Sequence, residues 1–231
     1  MIDRLNTVLG DSGLFVRGGF YPTPDDAVPP LPDGSAAGTV VLVGNAGTAM
    51  WAAFAQTGDR SIRNPLDTWL RPRILAAAAS VGAYPVFPNG GPPFVPVQDW
   101  AVRAEPVYRS PIGIMIHPEF GLWHVYRGAF LFADRIDLPP REDSASPCES
   151  CAKKPCLSVC PADAFLPDRF DAPACAAHVE SAAGVNCRER GCLARRACPV
   201  GRDFLYERDQ QAFHTAAMLG AVKRGYGQSR E

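Results

Sequence analysis

Hydrophobic positions along this chain come in short blocks, each with its own spacing. "TVVLVG", Thr39 to Gly44, is a continuous, β-branched run and predicts a buried strand. In "NAGTAMWAAFAQTG", which follows, Thr48 is placed to cap a short helix and Gly58 to end it. A strand, the turn Gly44-Asn45-Ala46-Gly47 and a helix invite a nucleotide-binding reading. The full G-x-G-x-x-G is missing and no ribose-binding acid follows, so a plain strand-to-helix turn is the better expectation. Asn64-Pro65 opens the next helix with a cap and a first-turn proline, and Asp67 sits near its positive end. Leu66, Leu70 and Ile74 recur every fourth residue and predict a buried face, with Pro72 expected to kink the helix or begin a new turn.

Prolines and glycines crowd residues 18–38 and predict an irregular surface segment. "FPNGGPPFVPVQDWAVRA" reads as loop up to Trp100. Beyond it, Ile112 to Ile116 and Leu122 to Phe132 read as two adjacent strands joined by a turn from His117 to Gly121. "FLYERDQQAFHTAAMLGAVKRG" reads as a terminal helix with an apolar side at Phe213, Ala216, Ala217 and Leu219. The expected class is α/β (α+β). Long crossovers between the early strands predict a mixed sheet in a layered domain, to which the adjacent pair adds an antiparallel element.

Composition narrows the class. Hydrophobic residues make up 47% of 231, enough for a real core. The net charge of −1 gives no long-range pull toward nucleic acid or anionic membrane. The opening residues do not form a signal peptide, and no apolar run reaches the length of a membrane span. A cytoplasmic location is expected, where ordinary thiols stay reduced.

That expectation sharpens the cysteines. All eight lie between Cys148 and Cys198, and none occurs in the first 147 residues. The first set reads C-x-x-C-x-x-x-x-C-x-x-x-C-P, from Cys148 through Cys151 and Cys156 to Cys160-Pro161. The second is Cys175, then Cys187, Cys192 and Cys198-Pro199. Three readings compete. Disulfides need an oxidising compartment. Two Cys₄ zinc sites would use eight thiolates, but only Cys148 and Cys151 form a knuckle of the usual spacing. Two [4Fe–4S] clusters match both the count and the C-x-x-x-C-P closure of bacterial ferredoxins, whose fourth cysteine serves the other cluster. On that pattern Cys148, Cys151, Cys156 and Cys198 hold one cluster, and Cys160, Cys175, Cys187 and Cys192 the other. Two departures stand out. Lys153-Lys154-Pro155 lengthens the first motif by two residues, and the second motif has wider gaps. Arg188, Arg190, Arg195 and Arg196 lie among the second set and read as a solvated rim.

Residues 14–135 carry a further pattern. "FVRGGFYPTPDDAVPPLP", "GTVVLVGNAGTAMWAAFAQTG", "NPLDTW", "FPNGGPPFVPVQ" and above all "IGIMIHPEFGLWHVYRGAFLF" resemble, in order, cobalamin-processing proteins of the CblC type. The cysteine segment resembles the ferredoxin-like half of epoxyqueuosine reductase and its reductive dehalogenase relatives. The resemblance implies a cobalamin-binding domain over residues 1–140, with a nitroreductase-like (flavin-reductase-like) fold. Residues 141–231 would form a ferredoxin-like domain with two [4Fe–4S] clusters and a terminal helix. It also implies a cobalamin site at His117, Pro118, Phe120, Gly121, Trp123, Arg127 and Gly128. His117 would face the corrin or fix the turn, Trp123 reads as packing, and Arg127 would pair with a polar group of the ligand. His124, His178 and His214 receive no role.

Three functions remain open. The first is an iron–sulfur oxidoreductase passing electrons from the clusters to cobalamin, fed by an electron donor protein or flavin reductase, with the chemistry belonging to the cofactor. The second is an epoxyqueuosine-reductase-like tRNA enzyme. "FPNGGPP" offers Asn89 and no acid as proton donor, and residues 148–231 carry 12 Lys/Arg against 10 Asp/Glu, so both facts argue against a nucleic-acid partner. The third is a non-catalytic electron carrier.

Overall fold

The structure is a computed structural model and describes residues 1–227. It divides into two compact units. Residues 1–107 with 124–145 form one, and residues 108–123 with the chain from Ser146 onward form the other. The excursion from Tyr108 to Trp123 therefore leaves the first unit to join the cysteine segment, and the linear boundary falls after Ala145.

The first unit opens with helix α1 (Ile2–Gly10) and strand β1 (Phe15–Phe20). Strand β2 (Thr39–Ala46) and helices α2 (Ala49–Thr57) and α3 (Pro65–Val81) follow, then β3 (Tyr84–Val86) and α4 (Val97–Ala104). After the excursion comes β6 (His124–Phe132), numbered after β4 (Tyr108–Arg109) and β5 (Met115–Ile116). The sheet order is β1-β2-β6-β3, and every neighbouring pair is antiparallel. The mixed sheet expected from the sequence is thus replaced by an antiparallel one, and the class is α+β. The expected hairpin is also not formed. Met115–Ile116 pairs with Tyr108–Arg109, while His124–Phe132 runs between β2 and β3. Contiguous apolar runs report burial but do not name a partner, and here the two runs serve different units.

Val40, Val41, Leu42 and Val43 on β2 are all fully buried, so both faces of this central strand are covered. Leu5 and Leu9 of α1 and Trp51 and Phe54 of α2 belong to the core of this unit, with Ile74 of α3 and Trp100 of α4. Helix α3 runs unbroken through Pro72. The ring costs it one hydrogen bond, to the carbonyl of Thr68, an exposed residue, where water can take the place of the missing donor.

Two bulges redirect side chains. In the β1–β2 ladder the register passes from Val16 to Gly18 and leaves Arg17 as the extra residue. In the β2–β6 ladder it passes from Gly128 to Tyr126 and leaves out Arg127. Arg17 is turned into the interior, where Nη2 meets Glu105 Oε1 at 2.8 Å. The Tyr126 hydroxyl donates to the same carboxylate. Arg17 Nη1 lies 3.3 Å from His124 Nδ1. A guanidinium only donates, so Nδ1 accepts and the neutral ring carries its proton on Nε2. Burial pushes the pKa values of Glu105 and Tyr126 up, and Arg17 works against it.

In the second unit, short helices α5 (Pro147–Ser150), α6 (Pro155–Ser158), α8 (Val185–Arg190) and α9 (Leu193–Arg196) alternate with turns. They are joined by the longer α7 (Ala172–Glu180) and α10 (Arg208–Gly227). Their core is Ile112, Ile116 and Leu122 from the excursion, packed with Ala194 and Cys198. Among the described residues no helix is long and apolar enough to cross a membrane.

Candidate metal centres

The eight thiols fall into two groups of four. Cys148, Cys151, Cys156 and Cys198 line one cavity, of about 20 Å³. Cys160, Cys175, Cys187 and Cys192 line another, of about 440 Å³. The first group takes three cysteines of the first set and Cys198 of the second, and the second group takes Cys160 of the first set and three of the second, the cross-ligation pattern of the ferredoxin closure. The electrostatics divide the same way. Burial, followed by Cys198, Cys156 and Cys151, pushes the Cys148 thiol up. Burial, followed by Cys192, Cys160 and Cys187, pushes Cys175 up to about 11. No cysteine is in a disulfide. Among the described residues no three His, Cys, Asp or Glu side chains converge as ligands of a single ion. The thiols instead surround space. The chemistry of the donor sets, four thiols each, suits a cluster, since thiolate is the ligand that such clusters take, and the void is open at the second set and nearly closed at the first.

Local backbone explains how sulfurs are held. Cys192 is the residue before α9, and its sulfur receives the N–H groups of Arg195 and Ala194. Cys198 precedes Pro199, which has no N–H to give, and the N–H of Val200 reaches the Cys198 sulfur. Such donors favour the thiolate. Helix α10 supplies Gln211, His214, Thr215 and Met218 to the wall of the larger cavity.

The turn from His117 to Gly121 is part of this construction. His117 Nδ1 accepts the backbone N–H groups of Glu119 and Phe120 at 3.1 and 3.2 Å, and its ring stacks on Phe120 at 4.3 Å. Gly121 has φ +56, and a side chain there would run into the carbonyl of Val200. Gly201 has φ +70, and a side chain there would run into the backbone of Phe120. Two glycine-bearing turns, one after His117-Pro118 and one after Cys198-Pro199, thus meet backbone to backbone. Trp123 is buried against Tyr206, ring centroids 5.3 Å apart. Arg195 lies over both rings, at 4.5 and 4.7 Å, and donates twice to the carbonyl of Leu122, at 3.1 and 2.6 Å. It is a clamp and not the solvated rim read from the sequence. Arg188 and Arg196 are likewise engaged, with the carbonyl of Val179 and the Asn186 side chain.

The seven residues read as a cobalamin site are divided between the two units. His117, Pro118, Phe120, Gly121 and Trp123 belong to the second unit, Arg127 and Gly128 to the first. Arg127 Nε donates to Asn45 Oδ1 at 3.0 Å. A side chain at Gly128 would press on the Val86 carbonyl and touch Val43 and Ile74. The residues that sequence reasoning missed are the buried Arg17, Glu105 and Tyr126. A bulge, which has no simple sequence signal, turned Arg17 inward, to Glu105 at the end of α4 and Tyr126 on β6.

No protein-family profile matches the chain, and no curated protein does. The fold is similar to solved structures of epoxyqueuosine reductase. One is a complex with an epoxyqueuosine-modified tRNA stem loop, with a TM-score of 0.52 and 15% identity, covering 89% of this chain and 66% of that one. Another, from Bacillus subtilis, gives 0.51 and 16% over 89% of this chain and 66% of that one. The chain thus spans just under two thirds of these proteins' length. The charge argument against a nucleic-acid partner gains no support from these structures, one of which holds a tRNA stem loop. What the chain shares with epoxyqueuosine reductase is an architecture, at 15–16% identity.

Proposed function

We propose that this chain is an iron–sulfur redox protein. Cys148, Cys151, Cys156 and Cys198 hold one [4Fe–4S] cluster, and Cys160, Cys175, Cys187 and Cys192 hold a second. The observation that carries the reading is the sorting of eight thiols into two cavities of four, each drawing on both cysteine sets. Such clusters supply one-electron transfer at potentials set by burial and by hydrogen bonds to sulfur. The chain's own part is to hold the thiolates, give backbone N–H groups to Cys192 and Cys198, and wall the larger site with α10. The likeness in fold to epoxyqueuosine reductase supports a redox role. Cobalamin is the electron acceptor that the resemblance of residues 14–135 implies, and no residue is assigned to it here.

Iron and acid-labile sulfide in anaerobically purified protein test the clusters. Eight irons with matching sulfide are expected, and tightly held zinc with no sulfide would refute the reading. Cobalamin added to the reduced protein should change its visible spectrum, and an unchanged spectrum would favour a plain electron carrier. A second reading, reduction of epoxyqueuosine in tRNA, is favoured by the fold likeness to a structure containing such a stem loop. Mass analysis of that stem loop after incubation with reduced protein separates the two.

A further inference from the structure

Ser110 is 8% exposed and follows β4, at the head of a turn that runs to Ile114. Its backbone is fully engaged. The N–H donates to the Ile114 carbonyl at 3.1 Å, and the carbonyl accepts the Gly113 N–H at 3.0 Å. Pro111 fixes φ at the next position, and Ile112 is anchored in the core of the second unit. The side chain is thus carried on a closed, anchored turn, in the same unit as the cysteines. Its hydroxyl is not engaged. Oγ is shielded from solvent and makes no hydrogen bond to any described residue. Buried hydroxyls are as a rule paired, so an acceptor belongs beside this one.

Ser110 lines the smaller cavity together with Cys148, Cys151, Cys156 and Cys198. The rest of that wall is proline, isoleucine, leucine and valine, with Lys154, whose ammonium only donates. Sulfur is therefore the side-chain acceptor on offer there. Backbone N–H groups reach sulfur at both centres, from Leu157 and Val200 at the first and from Ala194 and Arg195 at the second. Ser110 brings a side-chain donor to the first.

We propose that the Ser110 hydroxyl donates a hydrogen bond to sulfur of the first cluster and raises the reduction potential of that centre above the value it would have without the bond. The inference rests on the cluster reading given above. Uptake of one electron from dithionite breaks no bond and leaves the proton on Ser110 Oγ. It adds one negative charge to the cluster, which makes its sulfurs better acceptors. A donor held in place on a closed turn therefore favours the reduced form. Losing one such bond should change the one-electron equilibrium about tenfold, or about 59 mV.

The test is an EPR-monitored redox titration of the anaerobic, cluster-loaded full chain with dithionite. The first-centre signal is the one that Cys198→Ala abolishes, and the second centre is the internal control. Ser110→Ala removes the hydroxyl and little else, and Ser110→Thr keeps it. Ser110→Ala should lower the first-centre midpoint by about tenfold in equilibrium constant and leave the second unmoved, while Ser110→Thr stays near wild type at both. An unmoved first centre in Ser110→Ala, an equal shift of both centres, or Ser110→Thr behaving like Ser110→Ala would overturn the proposal. If Ser110→Ala does not load its first centre, Ser110→Thr decides. Loading of Ser110→Thr with a wild-type midpoint supports a hydroxyl at the cluster, and failure of both variants assigns Ser110 to packing and overturns it. Wild-type protein without acid-labile sulfide would instead refute the cluster reading itself, a result distinct from clusters present with unshifted potentials.

Discussion

Replacing Gly121 with alanine should strike one metal centre and spare the other. Gly121 sits at φ +56, where an L-residue costs about 1–2 kcal/mol. Its new methyl group would also run into the carbonyl of Val200, a backbone atom that cannot swing aside. Overpacking of this kind costs about 1–3 kcal/mol. The sum, about 2–5 kcal/mol, is a large share of the roughly 5–15 kcal/mol that holds a typical domain together. The least costly relief is to push Val200 away, and Val200 carries the N–H that reaches the Cys198 sulfur. Gly34 is the control. It has φ +85 with open space where a side chain would go, so Gly34→Ala isolates the backbone cost. Iron per chain, first-centre and second-centre EPR signals, and denaturant midpoints should be compared for the two variants. Gly121→Ala should lose the first-centre signal and keep the second, and Gly34→Ala should keep both. Retention of the first centre by Gly121→Ala, with a midpoint no lower than that of Gly34→Ala, would refute the argument that these two turns need each other.

Cys198→Ala should remove the cluster held with Cys148, Cys151 and Cys156, and loss of the other signal instead would reverse the ligand assignment. Glu105→Ala leaves the Arg17 guanidinium buried without its carboxylate, so stability should fall by about 3–5 kcal/mol in a denaturant titration. Glu105→Gln should cost less, because it still accepts from Tyr126 or Arg17. The metal-free chain should lose stability as pH rises from about 9 to about 11, because folded Cys175 keeps a proton that the unfolded chain has released. Cluster loading releases that proton to solvent, so unfolding of the loaded protein followed over the same range should show no such slope.

How much of this could be read in advance varies with the kind of signal. The strand at Thr39 and the helix between Thr48 and Gly58 were legible because a β-branched run and a terminal glycine are local features. Helix α3 was legible from Asn64-Pro65 and its four-residue repeat, but the effect of Pro72 was not, since one lost hydrogen bond is small against the burial of Leu70 and Ile74. Sheet direction was not legible either. Ile112–Ile116 and Leu122–Phe132 have the alternation and spacing of a hairpin, and only long-range packing sends them to separate units. The two cavity linings follow the partition expected from the C-x-x-x-C-P closure of ferredoxins, a local pattern that can be read in sequence. His117, Gly121 and Trp123 stand out in the sequence, but the turn, backbone contact and ring stack they make are long-range and not legible there.

The excursion from Tyr108 to Trp123 also has a consequence for how the protein is made. The ribosome finishes Phe132, and with it every strand of the four-stranded sheet, well before it reaches Cys198. During that interval Ile112, Ile116 and Leu122 have left the growing chain's first unit without the residues that will cover them. An apolar loop is therefore exposed until translation delivers Ala194 and Cys198. Iron delivery, chaperone holding and codon speed over the cysteine segment would all act in that window, and a fragment starting at Ser146 would be born without part of its own core.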